Sequence, residues 1–368
     1  MNIRRVSVHA VTLHHAAGPF TMSGGRVSTE QASTVVRLET GDGLVGYGES
    51  CVISPDYAPG YAGSTRAVLG LLARAVLGQD PRQVELVAAR VDAAAKGYAY
   101  AKSALDIACW DLFGRATGMR VSDLLGGTYQ ADFPLYTGIG VGDVETMRQG
   151  CRDLLAAGYD RIQIKVGTGW REDVERIRAC AEELRGAELF IVDANAWWTQ
   201  ADAARVAAAV DDLDLYLEQP CATLEECAEV RRRSRRPLIL DESLYEVADI
   251  VRARAAGAVD GLRLKLTRFG GITPMRRARD LAVSLGLPLT IEDSGGGDVV
   301  TAAVAQLAAS IPPKLLLAGY LPSEMSAERF AAGTPVAERG RARLPGGPGL
   351  GIEVDEAALG EPLLVVEQ

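Results

Sequence analysis

Six short apolar runs in this 368-residue chain end on charged side chains that could do chemistry. They are "RIQIKVG" with Lys165, "LFIVDAN" with Asp193, "LYLEQP" with Glu218, "PLILDES" with Asp241, "GLRLKLT" with Lys265, and "LPLTIEDS" with the pair Glu292 and Asp293. In the first run Ile162 and Ile164 alternate with Gln163 and Lys165, so a β-strand puts the two polar side chains on one face. That face is either solvent, with the lysine stem lying along apolar neighbours, or a reaction site. Asp193, Glu218 and Asp241 follow one another at intervals of 25 and 23 residues. An interval of one strand and one helix brings three carboxylates to the ends of three neighbouring strands, where their mutual repulsion calls for a cation. An all-oxygen set suits the hard ion Mg2+, with water and substrate completing its octahedron. Taken singly, the aspartates of "DAN" and "DES" read equally as helix N-caps.

The elements that hold these residues follow from periodicity. Residues 3 to 13 and 33 to 40 predict strands, and "TGDGLVGYGE" (40 to 49) predicts a turn and a further strand. Apolar periodicity predicts helices over 64 to 76, 81 to 95 and 98 to 115, which makes residues 1–128 an α+β domain. From residue 133 onward eight β-rich runs alternate with helical segments: the six above plus "FPLYTG" (133 to 138) and "KLLLAGY" (314 to 320). Eight βα units predict a (β/α)8 TIM barrel over residues 129–325. An open doubly wound sheet would use fewer strands and carry a glycine fingerprint, for which "GGG" at 295 to 297 is a weak match. Residues 326–368, with a Gly- and Pro-rich stretch before "GIEVD", are expected to return to the first domain.

In such a barrel the chemistry lies at the C-terminal strand ends. Lys165 and Lys265 belong to the second and sixth strands, four positions apart, so they should face each other across the carboxylates. Two opposed lysines at a Mg2+ site are suited to acid/base work on the two faces of one carbon. A hydrogen α to a carboxylate is weakly acidic because its loss puts a second negative charge on the acid, and a divalent ion on the carboxylate oxygens stabilises that charge. The lysine acting as base must be neutral, so its pKa has to fall from about 10.4 toward 7 or 8.

Bulk properties exclude other classes. Composition is 48% hydrophobic and 24% charged with a formal charge of -9, and no basic stripe interleaved with aromatics is present, so nucleic acid is not an expected partner. No apolar run reaches transmembrane length, and "MNIRRVSVHAVTLHH" lacks a long apolar core and a small-residue cleavage site, so the expectation is a cytoplasmic protein that meets no membrane. Six scattered cysteines form no disulfide framework and read as small buried hydrophobes. The three histidines lie within the first fifteen residues, so His-centred catalysis is available only if that segment folds over the site.

"IKVG", "VDANAWW", "LEQP", "LDES" and "LKLTRFGG" together resemble the enolase superfamily, in the subgroup of muconate lactonizing enzyme. The resemblance covers nearly the whole chain. It implies an α+β capping domain, a modified TIM barrel, a Mg2+ triad of Asp193, Glu218 and Asp241, and catalytic Lys165 and Lys265. The subgroup usually carries Lys-x-Lys on the second strand; Gln163 stands at the first position here, placed to hydrogen-bond the substrate carboxylate or the base, and its neutrality removes one source of pKa depression. The resemblance also implies that the loop "AGPFTMSGG" and a second loop, "GESCVISPDYAPGYAGSTR", close over a small-molecule carboxylate. The second loop and "IEDSGGGDVVTAAVAQLAAS" resemble members acting on proline derivatives. Phe20, Tyr57 and Tyr61 would then form a lid over a cationic ring nitrogen, with Asp56 or Asp293 as counter-charge. The leading expectation is elimination of water from a 3-hydroxyproline. The alternative is racemisation or epimerisation of proline derivatives or dipeptides, and a non-catalytic barrel would leave the opposed lysines without a joint purpose. Self-association into a homo-oligomer is expected.

Overall fold

The structure, a computed structural model, describes residues 1–368. Ile3–His14, Glu30–Thr40 and Val45–Val52 form an antiparallel sheet, and Leu364–Glu367 joins it beside the first strand. The "DG" signal becomes the turn between the second and third strands: Thr40 N donates to Leu44 O at 2.9 Å, and Gly43 takes φ +83°, a left-handed conformation that glycine adopts without Cβ strain. Helices Ala62–Val76 and Ala99–Thr117 pack on the sheet, with Val84–Ala94 lying against both. The approach of Ala99–Thr117 is so close that a Cβ on Gly48 would lie 1.8 Å from Ala104 O.

The eight runs read from the sequence become Thr137–Ile139, Arg161–Lys165, Leu189–Asp193, Tyr216–Glu218, Leu238–Leu240, Gly261–Lys265, Leu289–Glu292 and Leu316–Gly319. They form one parallel sheet in chain order, and a parallel bridge between Leu135 and Gly319 joins its two ends into a barrel. An α-helix follows each of the first seven strands, whereas the eighth runs into the 3-10 turn Pro322–Met325. The barrel is modified in that its last helix is replaced by a turn. Strand register sets Lys165 beside Asp193, Asp193 beside Glu218, and Lys265 beside Glu292.

One expectation needs correction. "FPLYTG" is not one strand: Asp132–Pro134 pairs with Arg341–Arg343 outside the barrel, and only Thr137–Ile139 enters it. "GIEVD" lies against the capping domain, where Arg115 Nη2 donates to Ile352 O at 2.8 Å and Leu350 N donates to Asp111 Oδ1 at 2.9 Å, while Glu353–Val354 pairs with Ala331–Ala332; the segment that joins the capping sheet itself is "LVVE". The later segment has the alternation an edge strand requires, with Leu364 and Val366 half-buried and Glu367 exposed.

Capping domain and barrel share one apolar core, running from Val6 and Leu38 in the sheet through Leu105 and Ile107 to Ile162 and Leu264 in the barrel. Two buried carboxylates fasten them further. Glu49 of the sheet accepts from Gly297 N at 2.6 Å and Val300 N at 3.0 Å, at the start of helix Asp298–Ala309. Asp106 accepts from Thr273 N at 2.9 Å in the first turn of Ile272–Ser284. All six cysteines are buried free thiols. No helix is long and apolar enough to cross a membrane.

Candidate active site

Two clusters, each pairing a lysine with carboxylates, lie at the C-terminal mouth of the barrel. In one, Lys165 Nζ pairs with Asp193 Oδ2. Gln163, on the same strand face, donates through Nε2 to Glu218 Oε2 at 2.9 Å and to Asp193 Oδ2 at 3.3 Å, so these two carboxylates meet on one atom. In the other, Lys265 Nζ donates to Asp241 Oδ2 at 2.6 Å and to Tyr57 Oη at 2.5 Å, and lies 3.3 Å from Glu292 Oε1. Arg268 Nη1 holds the second Asp241 oxygen at 2.7 Å. Asp193, Glu218 and Asp241 are fully buried, which makes these partners obligatory.

Burial pulls both lysines toward the neutral form, but their neighbours decide differently. At Lys165 the charges of Asp193 and Glu218 outweigh burial and raise the pKa above its ordinary value. At Lys265 burial, helped by Arg268, prevails over Asp241 and Glu242 and lowers it. Burial would raise Asp241, yet Lys265, Arg268 and Arg263 hold its carboxyl well below the usual range. The protein's own charges therefore leave the two lysines unequal.

Both lysines open onto a cavity of about 250 Å3 under the capping domain, which Gln163, Phe20, Tyr57 and Asp293 also line. Asp293 faces it with its acceptors already engaged, by Thr267 N at 2.7 Å, Thr267 Oγ1 at 2.9 Å and Ser294 N at 2.8 Å. The structure does not bring Tyr61 or Asp56 to this cavity. Tyr61 is 58% exposed because the helix Ala62–Val76 begins immediately after it and its ring folds back over Gly63. Asp56 is exposed, and only its main-chain oxygen is used, accepting from Arg26 Nη1 at 3.3 Å.

Several site residues escaped the sequence reading. Arg263 is 1% exposed inside the barrel and donates to Glu218 Oε2 and Glu292 Oε2, both at 2.6 Å, with its guanidinium 4.3 Å from the centre of the Tyr136 ring. Tyr136 in turn hydrogen-bonds Glu292. The signal was present in "LRLKL", where Arg263 precedes Lys265 by two and so shares its face. His15 also reaches the cavity, so the N-terminal segment does fold over the site; its Nε2 lies 2.9 Å from Ser28 Oγ, and burial lowers its pKa, favouring the neutral ring. Asn195 and Glu242 stand behind Asp193, joined by Asn195 Nδ2 to Glu242 Oε1 at 3.0 Å.

No three His, Cys, Asp or Glu side chains are gathered as a metal-binding group; each carboxylate of the trio is turned onto side-chain cations. The donor set still fits a hard divalent ion. It offers oxygens only, Gln163 Nε2 marks a point on which Asp193 and Glu218 converge, and Glu218 Oε1 is a buried oxygen that accepts no hydrogen bond although Arg263 Nε stands beside it. Asp241 is the member turned away, onto Lys265 and Arg268.

Residues 4–126 match the mandelate racemase/muconate lactonizing enzyme N-terminal domain, and residues 146–358 match the enolase C-terminal domain-like family. The chain belongs to this family and is an enzyme of the enolase superfamily. The cis-3-hydroxy-L-proline dehydratase of Roseibium aggregatum is 40% identical over 363 residues, covering 99% of both chains. The N-succinyl-L-Arg/Lys racemase of Bacillus cereus is 29% identical over 98% of both. A member of the enolase superfamily from Roseovarius nubinhibens, solved in complex with magnesium, is 34% identical with a TM-score of 0.95 over 100% of this chain and 99% of its own.

Proposed function

We propose that the enzyme is a Mg2+-dependent lyase that removes the α proton of cis-3-hydroxy-L-proline and eliminates water. The observation that carries this reading is the pair of lysines on opposed strands, Lys265 buried and Lys165 half-buried, sharing one small cavity. Likeness to the Roseibium dehydratase over the full chain supports the choice of substrate. At about 250 Å3 the cavity lies below the ~300–1,000 Å3 of pockets that hold drug-sized ligands, which favours a compact ring over a dipeptide or an acylated arginine. Asp193, Glu218 and Asp241 would hold the ion; when bound, it supplies positive charge beside the substrate carboxylate as the α proton leaves. One lysine takes that proton, and the electron pair it leaves forms the Cα–Cβ double bond as the β-hydroxyl departs. A proton delivered to the hydroxyl makes the leaving group water. The enamine so formed tautomerises to a cyclic imine. Tyr57, Phe20 and Met22 roof the reacting carbons and keep bulk water from them.

The same two lysines support a second reading, in which the opposed group returns the proton to the other face of a proline derivative that lacks a leaving group. The two readings separate in one experiment. Purified protein with cis-3-hydroxy-L-proline and Mg2+ should form an imine, detected with o-aminobenzaldehyde. No imine, together with deuterium from D2O entering the α position of proline or its betaine, would establish the epimerase instead.

A further inference from the structure

We propose that the hydrogen bond from Ser23 of the capping loop to Asn195 of the barrel couples closure of that loop to loading of the Asp193, Glu218 and Asp241 site, so that each favours the other. The proposal rests on the reading of those three carboxylates as metal ligands. Ser23 and Asn195 act as positioning residues, since neither is one of the proposed ligands.

Asn195 stands two residues beyond Asp193, with φ +44°, and Ala196 follows at φ +62°. Two successive non-glycine residues in the left-handed region are strained, Ala196 more than Asn195, and persist only where surrounding contacts fix them. Here the fixing contacts are Asn195 N to Asp193 Oδ1 at 2.7 Å, Asn195 Nδ2 to Asp193 Oδ2 at 2.9 Å and to Glu242 Oε1 at 3.0 Å, and Ala196 N to Gln219 O at 2.8 Å. Both side-chain amide hydrogens are therefore committed to carboxylates. A reversed amide would set its oxygen against the Asp193 carboxylate and forfeit the bonds to both Asp193 and Glu242, so Oδ1 has to face the capping domain. There Ser23 Oγ donates to it at 3.0 Å, with Ser23 fully buried and Asn195 only 5% exposed.

The rest of the loop is anchored to the same turn. Gly24 lies so close to the Trp197 indole that a Cβ would come within 2.6 Å of it, and Gly24 N reaches Gly167 O at 3.4 Å. The Arg26 guanidinium lies 5.9 Å from the Trp197 ring centre and 5.4 Å from that of Tyr57, and its Nε donates to Ser23 O at 3.1 Å. Loop closure is thus a set of contacts to residues 195–197, whose conformation depends on where the Asp193 carboxylate points. Whatever orders that carboxylate orders Asn195, and the loop then docks without having to order it again. Linkage makes the effect reciprocal: if metal favours the closed loop, the closed loop raises metal affinity by the same factor.

The test uses Mn2+ as the probe, with affinity measured by electron paramagnetic resonance and amide exchange followed over residues 17–26. In the wild type, Mn2+ should slow exchange of the loop. Ser23→Ala, made in a different domain from the ligands, should weaken Mn2+ binding about fivefold or more, the usual range of coupling between sites, and abolish the exchange response. Arg26→Ala loosens the same loop at its other anchor and should weaken Mn2+ binding in the same direction, which keeps the test decisive if Ser23→Ala does not fold. Mn2+ binding that is lost in Asp193→Asn but unchanged in both loop variants would overturn the coupling alone. Absence of Mn2+ binding in the wild type would overturn the ligand reading, and the coupling with it.

Discussion

Lys165 and Lys265 are chemically alike, and the fold makes them different. Lys165 is held by two carboxylates that favour its charged form, while Lys265 sits between Asp241 and the cation Arg268 in a drier place and is drawn toward the neutral form. Each should be indispensable as an acid/base group: Lys165→Ala and Lys265→Ala are expected to lower kcat by about 10²–10⁴-fold with Mn2+ binding retained, as steady-state kinetics and metal titration would show. Near-normal turnover in either variant would remove that lysine from the proton path. Arg263 has a different task, because it is the fully buried cation between Glu218 and Glu292. Arg263→Met should destabilise the fold by about 3–5 kcal/mol by stranding buried charge. Arg263→Lys should recover only part of that, since an ammonium cannot reach both carboxylates as the guanidinium fork does; urea denaturation measures both. The sequence showed the lysines and the carboxylates because each ends an apolar run. It hid the arginine in plain view, since Arg263 lies within a strand whose face was settled only by Lys265 two residues on.

At the scale of elements, legibility followed periodicity. The barrel strands and capping helices repeat every two or about 3.6 residues, and that signal located Arg161–Lys165 or Ala62–Val76 to within a few positions. Short pairings without a period were misread: Asp132–Pro134 finds its partner in Arg341–Arg343, some two hundred residues away, and nothing local in "FPLYTG" announces that its first half leaves the barrel. The same limit divided the second capping loop. The family resemblance put Tyr57 and Tyr61 together in one lid, but the chain between them turns into the start of a helix, which sends Tyr57 to Lys265 and Tyr61 to the surface. Spacing predicts a shared face only inside a regular element, and residues 53–61 contain none.

At the scale of the whole molecule, the site exists only where capping domain and barrel meet, since Phe20 and Tyr57 come from one and both lysines from the other. The contacts that hold the two together are therefore functional as well as structural. Glu49 is the clearest of them: it reaches from the capping sheet to the first turn of a barrel helix, and it also accepts from Ser33 Oγ at 2.6 Å. Burial pushes its pKa from 4.5 up to about 7, against the pull of those donors. A carboxyl raised in this way binds more protons folded than unfolded between about 4.5 and 7, so its stabilising contribution is complete below that window and is lost as pH rises through it. The shift corresponds to on the order of 3 kcal/mol at about 1.4 kcal/mol per pKa unit. Asp106, also raised to about 7 by burial at the second junction, acts in the same sense. The melting temperature should accordingly fall as pH is raised from 5 to 7.5. Glu49→Gln should flatten part of that slope while lowering stability by about 1–3 kcal/mol at pH 5, because an amide offers one acceptor to three donors and leaves a buried group unpaired. Melts that rise with pH over this range, or a slope unchanged in Glu49→Gln, would show that the junction carries ionised Glu49 throughout and that the helix-terminal donors outweigh burial.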